Sequence, residues 1–141
     1  MEISATTVIK QPPKKIYDYI SDVKNDVHWR SGIDDSGWRS DPPWGLGSVG
    51  YAKAGKMETV YRITVLVPFK RVDWEFIEGP FVGRGGYRLE AVEAGTRFTL
   101  MADIKPLGRM RLLGPLFYWM GKRSNQKDVE TLRKILEHAP N

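Results

Sequence analysis

The sequence predicts an α+β fold in which a curved antiparallel sheet of about six or seven strands wraps a long C-terminal helix. Three observations predict it. Between residues 48 and 105 five strand-like segments follow one another through short turns, and such turns join antiparallel neighbours because a parallel pair needs a long crossover. The segments alternate large apolar with polar side chains, the pattern of a sheet covered on one face. A single long amphipathic segment, 115–137, then follows, and at roughly 34 Å it is long enough to be the cover.

Each element has its own signature. Residues 3–10 read as a strand, with the β-branched Thr6, Thr7, Val8 and Ile9 in succession. Gln11-Pro12-Pro13 stops it. Proline is tolerated in the first turn of a helix, so a short helix opens there with Ile16, Tyr19 and Ile20 as its apolar face. Ser21-Asp22 breaks that helix, and 23–29 read as a second short one. Residues 31–47 are punctuated by Asp34-Asp35-Ser36-Gly37, read as a turn, and by Asp41-Pro42-Pro43 with Gly45 and Gly47, read as a loop, with a short strand around Trp38 between them. Trp38 and Trp44 have two readings in this polar stretch: a lid over a pocket, or an anchor of the loop to the sheet edge.

The meander strands are 48–54, 58–68, 71–78, 82–90 and 97–105. Alternation places Tyr61, Ile63, Val65 and Val67 on one face. Trp74 and Phe76 oppose Arg71, Asp73 and Glu75; Tyr87 and Leu89 oppose Arg88 and Glu90; Phe98, Leu100, Ala102 and Ile104 oppose Arg97, Thr99, Asp103 and Lys105. Gly83, Gly85 and Gly86 share one strand. They lack the Gly-Lys-Ser/Thr ending and following helix of a phosphate loop, and glycines inside a strand permit sharp coiling or close approach of another backbone. The C-terminal helix carries two apolar patches, Leu113, Leu116, Phe117 and Met120, then Val129, Leu132, Ile135 and Leu136, offset by roughly a quarter turn. Ser124, Asn125 and Asp128 lie between them, either as a partly exposed middle turn or as polar contacts for a ligand.

Composition excludes several classes. With 141 residues, 41% hydrophobic and 28% charged, the chain reads as one globular domain, 1–141. The absence of cysteine removes disulfides, thiol nucleophiles and thiolate metal sites. No basic segment followed by an apolar run opens the chain and no stretch of about 18 apolar residues occurs, so a cytoplasmic protein is expected. The net charge of +5 can mean a nucleic acid partner, an anionic lipid surface or only solubility. It is uneven, however: Lys105, Arg109, Arg111, Lys122, Arg123 and Lys127 occur with no acidic residue between 105 and 127. No recognition helix, zinc module or aromatic-basic sheet face is legible, so nucleic acid is not an expected partner.

The order strand, two short helices, strand meander and long amphipathic helix resembles the START-like, birch-pollen-allergen-like (SRPBCC) superfamily, specifically its polyketide cyclase/dehydrase and lipid-transport group. The carrying residues are the opening strand running into Gln11-Pro12-Pro13-Lys14-Lys15-Ile16-Tyr17-Asp18-Tyr19-Ile20-Ser21-Asp22, then Trp29, Gly45-Leu46-Gly47, Val67-Pro68, Gly95-Thr96-Arg97, Leu113-Gly114-Pro115-Leu116, Leu132 and Leu136-Glu137. The resemblance implies a helix-grip fold with a cavity between sheet and C-terminal helix, and a lipid, polyketide or other apolar ligand. It supplies no shared catalytic motif.

The expected function is therefore binding or transport of a small hydrophobic ligand. The expected wall is Trp29 from the second short helix, Tyr61, Ile63, Trp74, Phe76, Tyr87, Leu89, Phe98 and Leu100 from the sheet, and Leu116, Phe117, Met120, Ser124 and Asp128 from the long helix. The alternative for the same residues is a solid core without a cavity. A cyclase or dehydratase acting through Tyr61, Tyr87 or Asp128 is the enzymatic alternative. No His or acidic spacing suggests a metal, and no cofactor is expected; His28 and His138 are given no function. A third reading assigns residues 107–123 to an anionic membrane surface, against the alternative that their apolar side chains cap the core.

Overall fold

The structure, a computed structural model, describes residues 2–138 apart from the side chains at 109 and 110. Arg109, counted above in the basic segment, thus lies outside the described side chains. Strand β1 (Glu2–Ile9) leads into helix α1 (Pro13–Ile20), a 3-10 turn (Val23–Asn25) and helix α2 (Asp26–Trp29). Pro12 is extended and Pro13 opens α1, the position where a missing N–H leaves no bond unmade. The second helix is split because the Asp22 side chain accepts from the Lys24 N–H at 3.1 Å and caps a tighter first turn.

Strands β2 (Asp35–Trp38), β3 (Val49–Ala54), β4 (Met57–Val67), β5 (Arg71–Glu78), β6 (Phe81–Val92) and β7 (Gly95–Pro106) follow, then a 3-10 segment (Gly108–Leu113) and helix α3 (Gly114–Glu137). They form one seven-stranded sheet in the order β1-β7-β6-β5-β4-β3-β2, antiparallel throughout. With two short helices after β1 and a long C-terminal helix, this is the helix-grip arrangement.

Three expectations about detail are corrected. Asp34 and Asp35 are not the centre of a turn: Asp34 accepts the Gly55 N–H at 2.8 Å and Asp35 opens β2. Val65 and Val67 do not share the inner face with Tyr61 and Ile63. Irregularities in the β4–β5 register, one between Ile63 and Val65, shift the alternation, so Leu66 pairs with the buried Val72 while Val65 pairs with Asp73; a bulge inserts a residue and reverses the faces beyond it.

The third concerns α3. Its buried stripe is Asn125, Asp128, Val129, Leu132 and Leu136, packed on β1 and β7 and touching α2. Val129 and Leu132 are fully enclosed, and each such aliphatic group contributes about 1.5–3 kcal/mol. The end of the helix is latched to the β1–α1 turn, where Gln11 Nε2 donates to Leu136 O at 2.8 Å and the Lys10 N–H to Glu137 Oε2 at 3.0 Å. At about 100° per residue, Leu116, Trp119 and Met120 fall about 120° or more from the centre of that stripe. They and Leu113 are accordingly exposed. A straight helix presents one stripe to a sheet, and the C-terminal patch lies on it, in one core cluster with Ala5 and Ile9 of β1. Among the described residues no helix is long and apolar enough to cross a membrane.

Candidate functional site

The cover provided by α3 lies on the β1–β7 side of the sheet, with Phe117 reaching Phe81 of β6. Over β3 to β6 the sheet is roofed by α1, the 3-10 turn, α2 and the loop after β2, and there a cavity of about 400 Å³ remains. No residue of α3 lines it. The floor is apolar, with Ile63 and Leu66 from β4 and Val72, Trp74 and Phe76 from β5. The roof brings Tyr17, Ile20 and Val23, the first two of which the spacing of α1 turns toward the sheet.

Two glycines shape the floor. Gly50 faces Tyr61 across the β3–β4 pair, and a Cβ there would stand 2.7 Å from the Tyr61 ring. Gly85 faces Trp74, and its Cβ would stand 2.6 Å from that ring. Both aromatics lie flat over a neighbouring strand because that strand has no side chain to displace them. Of the β6 glycines, for which coiling or close approach of another backbone was expected, Gly85 instead admits a side chain.

Trp38 and Trp44 close one side. Their rings stack at 5.3 Å and 7°, Trp44 Nε1 donates to Ser40 O at 3.0 Å, and Lys24 Nζ lies over the Trp44 ring at 5.3 Å. Both residues border the cavity. The far end is aromatic too: Phe76 meets Phe81, which meets Phe117 of α3 at 5.3 Å.

A buried polar group sits on the wall. Among the described residues six buried side-chain polar atoms lack a hydrogen-bond partner, and five of them, Ser21 Oγ, Asp26 Oδ1, Arg30 Nε, Trp38 Nε1 and Tyr61 OH, belong to cavity-lining residues; the sixth is Trp29 Nε1. Arg30 Nε is nonetheless within 3.4 Å of Asp128 Oδ2, and Arg30 Nη1 donates to Tyr87 OH at 3.3 Å. Burial opposes the Arg30 charge, but Tyr87, Asp26 and Asp128 outweigh it, so the guanidinium stays protonated. Burial above all raises the Asp26 carboxyl to about 7; Arg30 pulls it down and Asp22 pushes it up. Tyr61 is held well above the usual phenol range by burial and then by Asp26. The Tyr61 hydroxyl and Asp26 carboxyl feel each other, yet Tyr61 OH and Asp26 Oδ1 remain without a partner of hydrogen-bond geometry. The residues of the wall thus carry three donors, an acceptor that titrates near neutrality and a fixed cation, each with its unpartnered atom shut off from water.

Of the expected wall residues, the fold brings Tyr61, Ile63, Trp74, Phe76 and Tyr87 to this cavity. Trp29, Leu89, Phe98 and Leu100 are in the solid core instead, where Trp29 packs on Tyr87 and Phe98 at ring distances of 5.7 and 6.1 Å. Leu116 and Met120 point to solvent, Phe117 backs Phe81, and Ser124 lies away from the cavity on α3. Asp128 is spent on structure: Oδ1 accepts the Ser31 N–H at 2.9 Å and the Ser31 hydroxyl, and Oδ2 faces Arg30. Sequence reasoning missed Ser21, Asp26 and Arg30. Ser21 carries no signal of its own, and Asp26 and Arg30 only follow Asp22 at successive intervals of four, which also fits a solvated helix face.

Residues 1–137 match the model of the family described as polyketide cyclase/dehydrase and lipid transport. The chain belongs to that family. Proteins of known structure share its shape at low identity. TTHA0849 from Thermus thermophilus superposes with a TM-score of 0.84 at 16% identity over 100% of both chains. Zhui aromatase/cyclase from Streptomyces sp. R1128 gives 0.79 at 15%, covering 97% of this chain and 93% of its own. Ara h 8.0201 gives 0.70 at 13%, covering 96% and 97%. At these identities the likeness carries the fold alone. No curated protein matches the sequence. Among the described residues no cluster of His, Asp or Glu could hold a metal ion.

Proposed function

We propose that this family member binds a small apolar molecule that carries hydroxyl or carbonyl groups, in the cavity between β3–β6 and the α1–α2 roof. One observation carries the reading: the unpartnered buried polar atoms of the described residues are concentrated on the wall of an otherwise apolar cavity. Each such atom costs about 1–3 kcal/mol when left unserved. None of them touches water in this conformation, so a ligand that brings its own oxygens and turns these side chains slightly toward it serves them and buries apolar area as well. The Trp38 N–H, Ser21 O–H and Tyr61 O–H suit a carbonyl or phenol oxygen, and Asp26 suits a hydroxyl donor. A volume of about 400 Å³ falls at the small end of ligand sites. Native mass spectrometry of the purified protein, followed by tryptophan-fluorescence titration with fatty acids, sterols and polyketide-like phenols, tests this. The expected result is a quench by hydroxylated compounds that Tyr61→Phe weakens roughly tenfold, the effect of one lost buried hydrogen bond. Failure of all three classes to bind removes the reading.

A second reading rests on Asp26. A carboxyl that titrates at about 7 beside a Tyr hydroxyl suits proton transfer to and from carbon next to a carbonyl. The family description and the aromatase/cyclase among the structural neighbours favour the same chemistry. Turnover of a poly-β-ketone analogue that disappears in Asp26→Asn while its binding persists supports catalysis; no turnover with tight binding leaves a carrier.

A further inference from the structure

We propose that the outer face of the 107–123 segment docks on an anionic lipid bilayer. The N-terminal half of α3, which turns Phe117 and Gly121 to the sheet, is apolar on its outside as well. Leu112 is 87% exposed, and Leu113, Leu116, Trp119 and Met120 each keep half or more of their surface in water. Leu116, Trp119 and Met120 are three and four residues apart on α3, so they form one face. An exposed group of that size is unusual for a surface that meets only water.

The charge around it selects the partner. Trp119 is followed one turn later by Arg123, whose guanidinium lies over the indole at 5.5 Å. Arg111, Lys122 and Lys127 complete the rim, and among the described residues none of these four cations joins an ion pair within 4 Å. The segment 105–127 contains no acidic residue. A second copy of the chain would set these cations against one another. A bilayer of anionic lipid offers both requirements at once, phosphates at the level of the rim and hydrocarbon beneath it. Tryptophan and arginine at that boundary match the headgroup layer.

The face also adjoins the cavity. A second hollow of about 130 Å³ lies under the start of α3, lined by Ile3, Ile104, Gly114 and Phe117 among others. Ile104 borders the main cavity too, and Phe117 packs against Phe81 on its wall. Docking therefore places the aromatic end of the cavity beside the lipid, about 20 Å along β6 from Tyr87. Exchange of an apolar ligand with the bilayer at this end rests on the ligand-binding reading; docking itself does not.

Vesicle flotation separates the two. The full chain is floated with phosphatidylcholine vesicles and with vesicles carrying about 30 mol% phosphatidylglycerol, with no ligand added. Binding is expected to the anionic vesicles alone, weakened at least about 25-fold by Lys122→Glu/Arg123→Glu and at least about tenfold by Leu112→Ser/Trp119→Ser. All four positions are exposed, and melting curves check that the variants fold; Met120→Ser stands in if one does not. No preference for anionic vesicles overturns the proposal. So does loss with the charge variant but not with either apolar variant, which is adsorption without insertion. A dimer that the apolar variants dissolve, with no vesicle binding, assigns the face to a second copy and also overturns it. A protein that floats but takes up no ligand retains docking and rejects the cavity reading.

Discussion

Asp26 illustrates how one residue can tie function to stability. Its carboxyl is raised from 3.8 to about 7, chiefly because burial disfavours the anion. The folded protein therefore holds that proton more tightly than the unfolded chain does. This contribution is complete below about pH 4, falls as pH rises from the unfolded value through about 7, and is flat above. The span corresponds to on the order of 4 kcal/mol. An amide has the shape of the neutral acid and cannot ionise. Asp26→Asn should thus match the wild type near pH 4 and exceed it by a few kcal/mol at pH 8, with the difference opening between those values. Urea melts at a series of pH values measure this, and parallel curves for the two proteins would mean that Asp26 is not held neutral by the fold. An ionisable group at such a position is the kind of local inconsistency that marks a working site.

At the scale of elements, α3 is held by apolar stripe and polar buckle together. Asp128 receives the Ser31 N–H and hydroxyl and faces Arg30, so it joins the long helix to the end of α2 at the cavity's polar side. Asp128→Ala leaves the Ser31 groups and the Arg30 cation without their acceptor and should destabilise the fold by about 3 kcal/mol; Asp128→Asn, which keeps one acceptor, should lose less. Thermal melts of both variants rank them, and an alanine variant as stable as the wild type would show that the buckle is dispensable. The element order, the antiparallel meander and the span of α3 were legible in the sequence because each rests on local periodicity and on turns that admit one geometry. The half of α3 that packs was not. Both patches are apolar, and only the presence of Ala5 and Ile9 opposite the second one decides between them. The faces of β4 beyond Ile63 were lost for a similar reason: a bulge has no reliable residue signature, and it moved Leu66 to the inside in place of Val65. Asp26 and Arg30 were passed over because burial is a property of the roof they join, not of their own helix.

For the molecule as a whole, the sheet is wider than its long helix can cover, and the uncovered part becomes a cavity. The chain fills the β1–β7 side with close-packed Phe98, Leu100, Val129 and Leu132 and leaves the β3–β6 side under a thin roof. A cavity lowers stability because its lining forgoes contacts, so filling it should stabilise the empty protein. Ala52 lies on β3 at the cavity wall, and Ala52→Phe points a ring into the space. The expected outcome has two parts. The variant melts at or above the wild-type temperature without ligand, and it no longer responds to a hydroxylated apolar compound that raises the wild-type midpoint. At a ligand concentration of about 100 times Kd that rise is worth about 2.7 kcal/mol, or roughly 10 °C for a domain of this size. A variant that keeps the full ligand-induced rise would place the binding site elsewhere. A variant that melts far lower while binding nothing would show only that the ring does not fit, and Ala52→Leu, which adds less volume, then decides.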